Sequence, residues 1–374
     1  MAMKGLFLST LRFCALVLCL LSGAAWADPG AWREALAPRT WQFPADLGAH
    51  PAYRTEWWYF TGNLTDGGGN RYGYDLTFFR EGIRPQPADP RSPWSLRDLY
   101  LAHFTVTDAA KRHFFMDERV SRRGPGLAGA RTDGLDVHLL DWSAKQEGKH
   151  ISLRAKSGRV ELSLLLTPEK PPVLHGEKGL SRKGPAPGQA SYYVSSTDLR
   201  TAGSLREAAG EAPVVLGGAS WFDHEFGSNQ LAPDQAGWDW FGLHLSDGRD
   251  LMFYGLRRID GTFEPASSGT MVDARGRGRF LPLSAVRVEV LDHWRSPKSG
   301  ASYPSRWRIS VPAGRLDLLV RPILADQELV TGGSTGVTYW EGAVEGRGTS
   351  AGQPITCTGY VELTGYAGRL GGLF

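Results

Sequence analysis

The sequence predicts an all-β protein that contains two similar β-domains in tandem. Its composition is rich in two residue types, with 47 Gly and 13 Trp among 374 residues. Aromatic side chains fill pleated faces and glycines form tight turns, so this combination is typical of strands joined by short connections. Helical periodicity is scarce, whereas short segments with period-two alternation recur along the chain.

The predicted strands are separated by recognisable turns. Alternating segments occupy residues 72–79, 101–106, 160–166, 251–257, 286–290, 315–320 and 355–363. Residues 66–70 and 246–249 have the Asp-Gly composition of hairpin turns. Residues 81–93 and 168–187 are rich in Pro and charged residues and are predicted to be long loops of the kind that often cover a site.

A weak internal repeat indicates how the chain divides. Residues 56–64 and 237–245 share a mixture of acids and aromatics, and each is followed by an Asp-Gly turn and an apolar strand. We therefore predict an N-terminal β-domain over residues 28–203 and a C-terminal β-domain over residues 204–374.

Residues 1–27 have the pattern of a secretory signal. Lys4 and Arg12 provide positive charge, residues 13–21 are apolar, and Ala25-Trp26-Ala27 forms a small-x-small cleavage site. The sequence thus predicts a secreted, periplasmic protein cleaved near Ala27. The alternative is an uncleaved N-terminal anchor, although the apolar run is short for a membrane span.

Charge and cysteine content exclude several classes of protein. The signal region carries two basic residues and no acids, so the formal charge of +3 becomes +1 after cleavage. A nearly neutral chain lacks the basic footprint of a nucleic-acid-binding protein. Cys357 is then the one cysteine left, which excludes an internal disulfide, and its alternating strand pattern predicts a core position.

The strongest candidate for a site is the stretch 221–228. It places Asp223, His224 and Glu225 between aromatic residues, where titratable groups are costly unless they are paired or used. On a strand, Asp223 and Glu225 lie on one face and His224 on the other, unless a bulge intervenes. The alternative role is structural, with the two acids joining the domains through Arg or Trp N–H partners.

A second candidate stretch, residues 54–63, has the same composition. Alternation puts Trp57 on one strand face and Glu56 with Trp58 on the other. These three residues are predicted to bind a ligand, with packing in the core as the alternative. His103 on a later strand is also predicted to bind the ligand, with a hydrogen-bonded core position as the alternative. The nine histidines form no His-x-His or His-x₃-His pair, and the sequence therefore predicts no metal site.

Several motifs in a fixed order make the mature chain similar to a known family. They lie at residues 50–51, 56–63, 102–104, 191–193, 221–227, 238–242, 294–297, 303–307, 326–328 and 339–342. The chain resembles the lipocalin-like AttH and carotenoid 1,2-hydratase family. The resemblance implies two lipocalin-like β-barrels packed together, exported from the cell and containing an apolar cavity. Barrels of this size hold one small ligand in their interior.

The resemblance also implies a set of site residues. The catalytic candidates are Asp223, His224, Glu225 and Tyr254. The ligand-binding candidates are Glu56, Trp57, Trp58, His103, Phe226, Trp238 and Trp240. The chain departs from the carotenoid enzymes at two points, because Phe226 replaces a Trp and the residues after Tyr254 are Gly255 and Leu256 rather than an acid.

Family members differ in activity, and fold alone does not choose between their activities. Some accompany an ABC transporter as its secreted component, others hydrate carotenoids without a cofactor, and fungal relatives catalyse pericyclic cyclisations. Our leading hypothesis is a secreted protein that binds or processes a hydrophobic small molecule or lipid, with an ABC transporter of the cell envelope as a candidate partner. The alternatives are a cofactor-independent hydratase that uses Asp223 and His224, and a structural interaction module with packed, cavity-free domains.

Overall fold

The computed structural model describes residues 31–207, 210–229, 231–368 and 370. The predicted signal sequence lies outside these residues. Two antiparallel sheets account for nearly all of the regular structure, and three short 3-10 helices occupy Ala45–Leu47, Leu283–Ala285 and Pro312–Gly314. Within the described ranges, no helix has the length and apolar character needed to cross a membrane.

The first sheet contains thirteen strands, and its main path runs β4-β3-β2-β1-β13-β12-β9-β8-β7-β6-β5. Its strands are β1 (Thr55–Thr65), β2 (Arg71–Gly82), β3 (Asp98–Asp108), β4 (His113–Arg122), β5 (Ala128–Ala130), β6 (Asp136–Leu139), β7 (Trp142–Glu147), β8 (His150–Lys156), β9 (Glu161–Pro168), β10 (Val173–Leu174), β11 (Leu180–Arg182), β12 (Ala190–Arg206) and β13 (Val214–Asn229). The sheet curls until β6 contacts β2, β3 and β4 across the interior.

The second sheet contains ten strands, and its main path runs β17-β16-β15-β14-β23-β22-β20-β19-β18. Its strands are β14 (Gln235–Leu245), β15 (Asp250–Arg258), β16 (Ser268–Val272), β17 (Gly278–Pro282), β18 (Arg287–Arg295), β19 (Ser302–Val311), β20 (Leu316–Pro322), β21 (Glu328–Val330), β22 (Thr338–Ser350) and β23 (Gln353–Leu363). In each sheet the strand that comes first in sequence pairs with the strand that comes last, in the interior of the path, and the sheet curls toward a barrel on either side of that pair. The structure therefore confirms the predicted all-β fold with two tandem barrel domains.

The chain passes from one sheet to the other between Asn229 and Gln235. The predicted boundary at residues 203 and 204 instead falls inside β12, and all of β13 pairs with the first sheet. Strands β12 and β13 form a long hairpin within the first sheet. The internal repeat does not indicate this hairpin, because its two segments lie in β1 and β14, the first strand of each sheet. The predicted loop 168–187 includes the short strands β10 and β11, which pair with β12.

The central strands are buried on both faces. Trp58 and Phe60 of β1 point into the core of the first barrel, whereas Tyr59 points toward the second sheet. The second barrel has its own core around Trp307 and Trp340. Because β1 and β13 are covered on both sides, their sequences read as aromatic runs rather than as alternation between apolar and polar residues.

The two sheets pack closely against each other. A Cβ atom built on Gly73 of β2 would lie 2.6 Å from Cβ of Ala343 on β22, so only glycine fits there. Nearby, the side-chain amide of Asn63 donates a hydrogen bond to the carbonyl of Gly359 (2.9 Å). The hydroxyl of Thr107 donates to Oε1 of Gln327 (2.8 Å). These contacts hold one face of each sheet against the other.

Cys357 lies in the core of the second barrel and forms no disulfide, which confirms its predicted position. Burial raises the pKa of its thiol to about 12. In a chain that starts at Asp28, we expect the folded protein not to react with Ellman's reagent at pH 8. Unfolding in guanidinium should then release one equivalent of reactive thiol. Rapid labelling of the native protein would contradict this placement.

Candidate functional site

An aromatic pocket lies between the two sheets rather than inside either barrel. Its volume is about 780 Å³, including the space at its opening. Strands β1, β2, β12 and β13 form one wall, and β14, β15, β22 and β23 form the other. The lining residues are Trp57, Tyr59, Thr77, Phe79, Lys183, Tyr193, Asp223, Glu225, Leu231, Trp238, Trp240, Tyr254, Leu256, Tyr339, Glu341 and Glu362. The sequence left open whether a cavity lies in one barrel, in both or in the cleft between them, and this pocket lies in the cleft.

The pocket is apolar where it meets solvent and acidic at depth. Its half-buried lining residues are Trp57, Phe79, Leu231, Trp238 and Glu362. The other three acids that line it, Asp223, Glu225 and Glu341, are buried. The outer part of the pocket is therefore mainly apolar, and most of its carboxyl groups lie at depth.

Asp223 is held in the pocket wall by three donors. The Trp221 indole N–H donates to its Oδ1 (2.6 Å), the hydroxyl of Ser195 donates to the same oxygen, and the hydroxyl of Tyr193 donates to Oδ2. Burial raises the pKa of Asp223 to about 7, against the opposing effect of these hydrogen bonds. The group therefore exchanges a proton near neutral pH without large cost.

Glu225 lies on the same face as Asp223 and forms a buried ion pair. Nζ of Lys183 is 2.8 Å from its Oε1, and the hydroxyl of Ser191 donates to the same oxygen. The ammonium also lies 4.0 Å from the centre of the Tyr254 ring. Lys183 comes from the predicted loop 168–187, so that segment does reach the site.

Tyr254 lines the pocket as the sequence predicted, and its hydroxyl belongs to a hydrogen-bonded group. It lies 2.8 Å from the hydroxyl of Ser181 and 3.0 Å from that of Ser268, and it donates to the carbonyl of Arg182 (3.1 Å). The residues directly after Tyr254 are Gly255 and Leu256, so no acid is adjacent to it in sequence. Two further acids in the pocket, Glu341 and Glu362, come from β22 and β23 instead.

These two acids are held toward their neutral forms. Burial raises the pKa of Glu362 to about 7, and nearby Glu225 and Asp223 act in the same direction. Burial also raises the pKa of Glu341 well above its ordinary value, and Asp75 and Glu362 add to that shift. The pocket thus offers proton-carrying carboxyl groups on the wall opposite Asp223.

The predicted ligand-binding tryptophans divide between two faces. Trp57, Trp238 and Trp240 line the pocket, and the Trp240 indole N–H donates to the hydroxyl of Tyr193 (3.0 Å). Trp58 lies on the other face of β1 and donates to the carbonyl of Leu47 (3.0 Å). The core interpretation of Trp58 is therefore the one that the structure supports.

His224, Glu56 and Phe226 also lie on the face away from the pocket. The pairing of β1 with β13 continues through residues 223–226 without a bulge, so alternation separates His224 from Asp223. Nε2 of His224 is 3.0 Å from Oε1 of Glu56, and the Phe226 ring stacks on His50 with centroids 3.6 Å apart. Asp223 and His224 therefore do not act as a pair in this pocket.

Glu56 is the centre of a buried network below the barrel. The guanidinium of Arg80 donates to its Oε2 (3.0 Å), and the backbone N–H of His50 contacts both oxygens at 2.9 Å. Burial alone would raise the pKa of Glu56, but Arg80, His224 and His50 hold it well below its ordinary value. Glu56 is therefore a carboxylate at neutral pH, paired with the buried guanidinium of Arg80.

The same network contains a set of atoms of the type that binds metals. His50, Glu56 and His224 each present one ligand atom within 4.8 Å of the others. Nδ1 of His224 lies 3.1 Å from the carbonyl of Asp46, and Arg80 neutralises Glu56. Hydrogen bonds and this ion pair account for the arrangement. The cluster joins His224 to His50 and Glu56, which lie far from it in sequence, so no spacing motif predicts it.

His103 lies beside the pocket rather than in its lining. Its Nδ1 is 2.7 Å from the hydroxyl of Tyr339, and its Nε2 is 2.9 Å from that of Ser334. Burial lowers the pKa of His103 to about 3, so the ring is neutral. It orients Tyr339 across the boundary between the two sheets.

Sequence reasoning did not select Lys183, Tyr193, Glu341 or Glu362 as site residues. Tyr193 and Glu341 lie in the motifs 191–193 and 339–342, which carried the family resemblance, so a signal for them was present. Glu362 belongs to the alternating segment 355–363. Lys183 lies in an irregular stretch where no periodicity indicates its orientation.

Comparisons with known proteins agree with this architecture. The family model described as AttH-like matches residues 34–366. A structure named as an AttH from Nitrosomonas europaea is 36% identical, with a TM-score of 0.77, and covers 88% of this chain and 100% of its own. A comparison with curated proteins finds no match.

Two further solved structures show the same fold at low identity. Kievitone hydratase from Nectria haematococca is 17% identical, with a TM-score of 0.67, and the match covers 91% of this chain and 97% of the hydratase. CghA is 15% identical, with a TM-score of 0.52 and coverage of 91% and 98%. At these identities the likeness concerns the fold alone. The match to the family model and to the Nitrosomonas protein shows that this chain belongs to the AttH-like family.

Proposed function

We propose that this protein is a cofactor-independent enzyme that adds water to, or removes it from, a carbon–carbon double bond of an apolar molecule. The observation that carries the proposal is the buried carboxyl of Asp223 in the wall of an aromatic pocket between the two domains. A group of this kind transfers protons where bulk water is excluded.

The lining supports an apolar substrate. Aromatic and aliphatic side chains form the opening and most of the walls, and a few polar groups converge at depth. This is the usual composition of a small-molecule site. The aromatic faces also attract the positively polarised carbon of a double bond that reacts with water.

The acids support proton transfer rather than binding alone. Asp223 and Glu362 both have pKa values raised to about 7, and they lie on opposite walls. A pure carrier of apolar ligands gains nothing from buried carboxyl groups, which are costly to maintain. The hydratase named among the proteins that share this fold makes the same reaction class a reasonable analogy.

The first test is whether the pocket holds a ligand. We expect native mass spectrometry of the mature protein, purified from its own envelope, to show a bound hydrophobic compound that organic extraction recovers. Trp57→Ala at the opening should weaken its rebinding about tenfold. Trp94→Ala removes an exposed indole outside the pocket and should leave affinity unchanged. An empty protein that also ignores apolar probes would favour the structural interaction module.

Export and a transport partner are separate proposals. The signal sequence and the family resemblance support a periplasmic location, with an ABC transporter as a candidate partner. N-terminal sequencing of the protein from the periplasmic fraction should begin at Asp28. An intact N-terminus in the membrane fraction would instead support the uncleaved anchor.

A further inference from the structure

The inner part of the pocket contains two polar groups that form no hydrogen bond of ordinary length with the described residues. They are the hydroxyl of Tyr59 and Oε1 of Glu341. The two side chains interact with each other, and Glu341 also interacts with Tyr339. Both residues line the pocket, and their relative exposures are only 7% and 1%. Buried polar atoms are nearly always paired at hydrogen-bond distance, so loosely paired groups that face one cavity point to a ligand atom that pairs with them more closely.

The packing of the two sheets places these groups together. Gly73 on β2 abuts Ala343 on β22, and two residues further along each strand Asp75 and Glu341 lie on the same faces. The hydroxyl of Thr77 donates to Oδ1 of Asp75 (2.6 Å), whereas Oδ2 of Asp75 has no partner in the described part of the chain. Two facing carboxyl groups do not both ionise in a buried site.

Glu341 and Asp75 both favour their protonated forms. Burial raises the pKa of each carboxyl group well above its ordinary value, and Glu362 adds to both shifts. Burial also raises the pKa of the Tyr59 hydroxyl well above its ordinary value, so this group is neutral as well. At neutral pH the pocket therefore presents a phenol O–H and a carboxylic acid O–H. A tyrosine with a protonated acid is a known arrangement for binding an oxygen atom that gains negative charge.

Tyr59 is also placed correctly relative to Asp223. The two residues are direct partners in the pairing of β1 with β13, and both face the pocket. Side chains at such positions begin about 5 Å apart. A compact group of three or four substrate atoms therefore fits between the oxygen bound at Tyr59 and the carbon or water served by Asp223.

We propose that Tyr59 and Glu341 bind the carbonyl oxygen of the substrate, which is an apolar molecule whose double bond is conjugated to that carbonyl. This inference rests on the proposed function and specifies its substrate class. Tyr59 and Glu341 would be catalytic residues, whereas Asp75 is a positioning residue that acts through Glu341.

The reaction balances without a cofactor. Asp223 removes a proton from water while the water oxygen bonds to the β-carbon. The alkene electron pair shifts to form the enol, and the carbonyl oxygen takes a proton from Glu341. The α-carbon then takes the proton from Asp223 while the enol oxygen returns its proton to Glu341. One water molecule has been added, nothing is oxidised or reduced, and both carboxyl groups regain their starting states.

The test compares two probes with the same number of non-hydrogen atoms, 2-acetylnaphthalene and 2-isopropylnaphthalene, by equilibrium dialysis against the mature protein. We expect the ketone to bind about tenfold more tightly, because it alone accepts hydrogen bonds. Its infrared C=O stretching band should shift to lower frequency when bound. Tyr59→Phe and Glu341→Gln should each reduce the preference and the shift, while affinity for the hydrocarbon stays unchanged.

The controls separate this inference from the proposed function. Tyr303→Phe removes a buried hydroxyl in the second barrel, outside the pocket, and should leave the preference intact. Equal binding of both probes by the wild-type protein would overturn the oxygen subsite but retain the apolar pocket. A preference that survives in both variants would also overturn it. If neither probe binds, the proposed function fails as well.

Discussion

Replacing Glu56 with Gln is expected to lower the free energy of unfolding by about 3–5 kcal/mol, the usual cost of breaking a buried ion pair by removing one partner. Glu56 and Arg80 are both almost fully buried, and Arg80 also contacts Asp98 (3.0 Å). The substitution keeps the shape of the side chain but leaves the guanidinium with one carboxylate instead of two. Urea unfolding followed by tryptophan fluorescence measures the change.

The pH dependence of that loss follows from the pKa of Glu56. The folded-state pKa lies well below the ordinary value, so the carboxylate contributes stability above its unfolded pKa of about 4.3. This contribution disappears as the pH falls through the folded-state pKa. The difference between the wild type and Glu56→Gln should therefore be full at pH 7 and shrink in acid.

An exposed glutamate provides the matched control. Glu177 lies on the surface, and Glu177→Gln should change stability by less than about 0.5 kcal/mol. If Glu56→Gln proves equally harmless but weakens ligand binding, Glu56 is a ligand-binding residue as the sequence first predicted. Normal ligand binding with lowered stability supports the structural role.

Replacing Asp223 with Asn is expected to reduce turnover of the extracted ligand by about 10²–10⁴-fold, the range for loss of a general acid or base. The amide oxygen still accepts hydrogen bonds from Trp221 and Ser195, as Oδ1 does now. The amide NH2 takes the place of Oδ2 and can donate to the hydroxyl oxygen of Tyr193, so the fold and the ligand affinity should persist. Turnover, circular dichroism and ligand affinity are to be measured on the same preparation.

The pH profile gives a further readout for Asp223. In the proposed reaction Asp223 starts as the carboxylate, so the wild-type rate should rise as the pH increases through about 7. This rise with pH should be absent from the residual activity of Asp223→Asn. His224→Gln is the matched comparison. Because the His224 side chain points away from the pocket, the rise with pH should remain in that variant. Loss of folding in Asp223→Asn would instead support the alternative in which the acid joins structural elements.

Local sequence predicted the faces of the strands correctly because side-chain direction alternates with every residue. It separated Asp223 and Glu225 from His224, and Trp57 from Glu56 and Trp58, as the structure does. Local sequence did not show which face of β1 and β13 lines the site. Both faces of β1 and β13 are buried and both contain acids and aromatics, so composition could not distinguish the barrel core from the cleft.

By itself the sequence determined the all-β class, the two repeated domains, the core position of Cys357 and the family, because each depends on periodicity, composition or ordered motifs. The tertiary structure alone decided that the pocket lies between the barrels and that Glu341 and Glu362 face Asp223 across it. Those acids come from strands at the end of the second domain. Packing of one sheet on the other brings them together, and no local pattern in the chain encodes that distance.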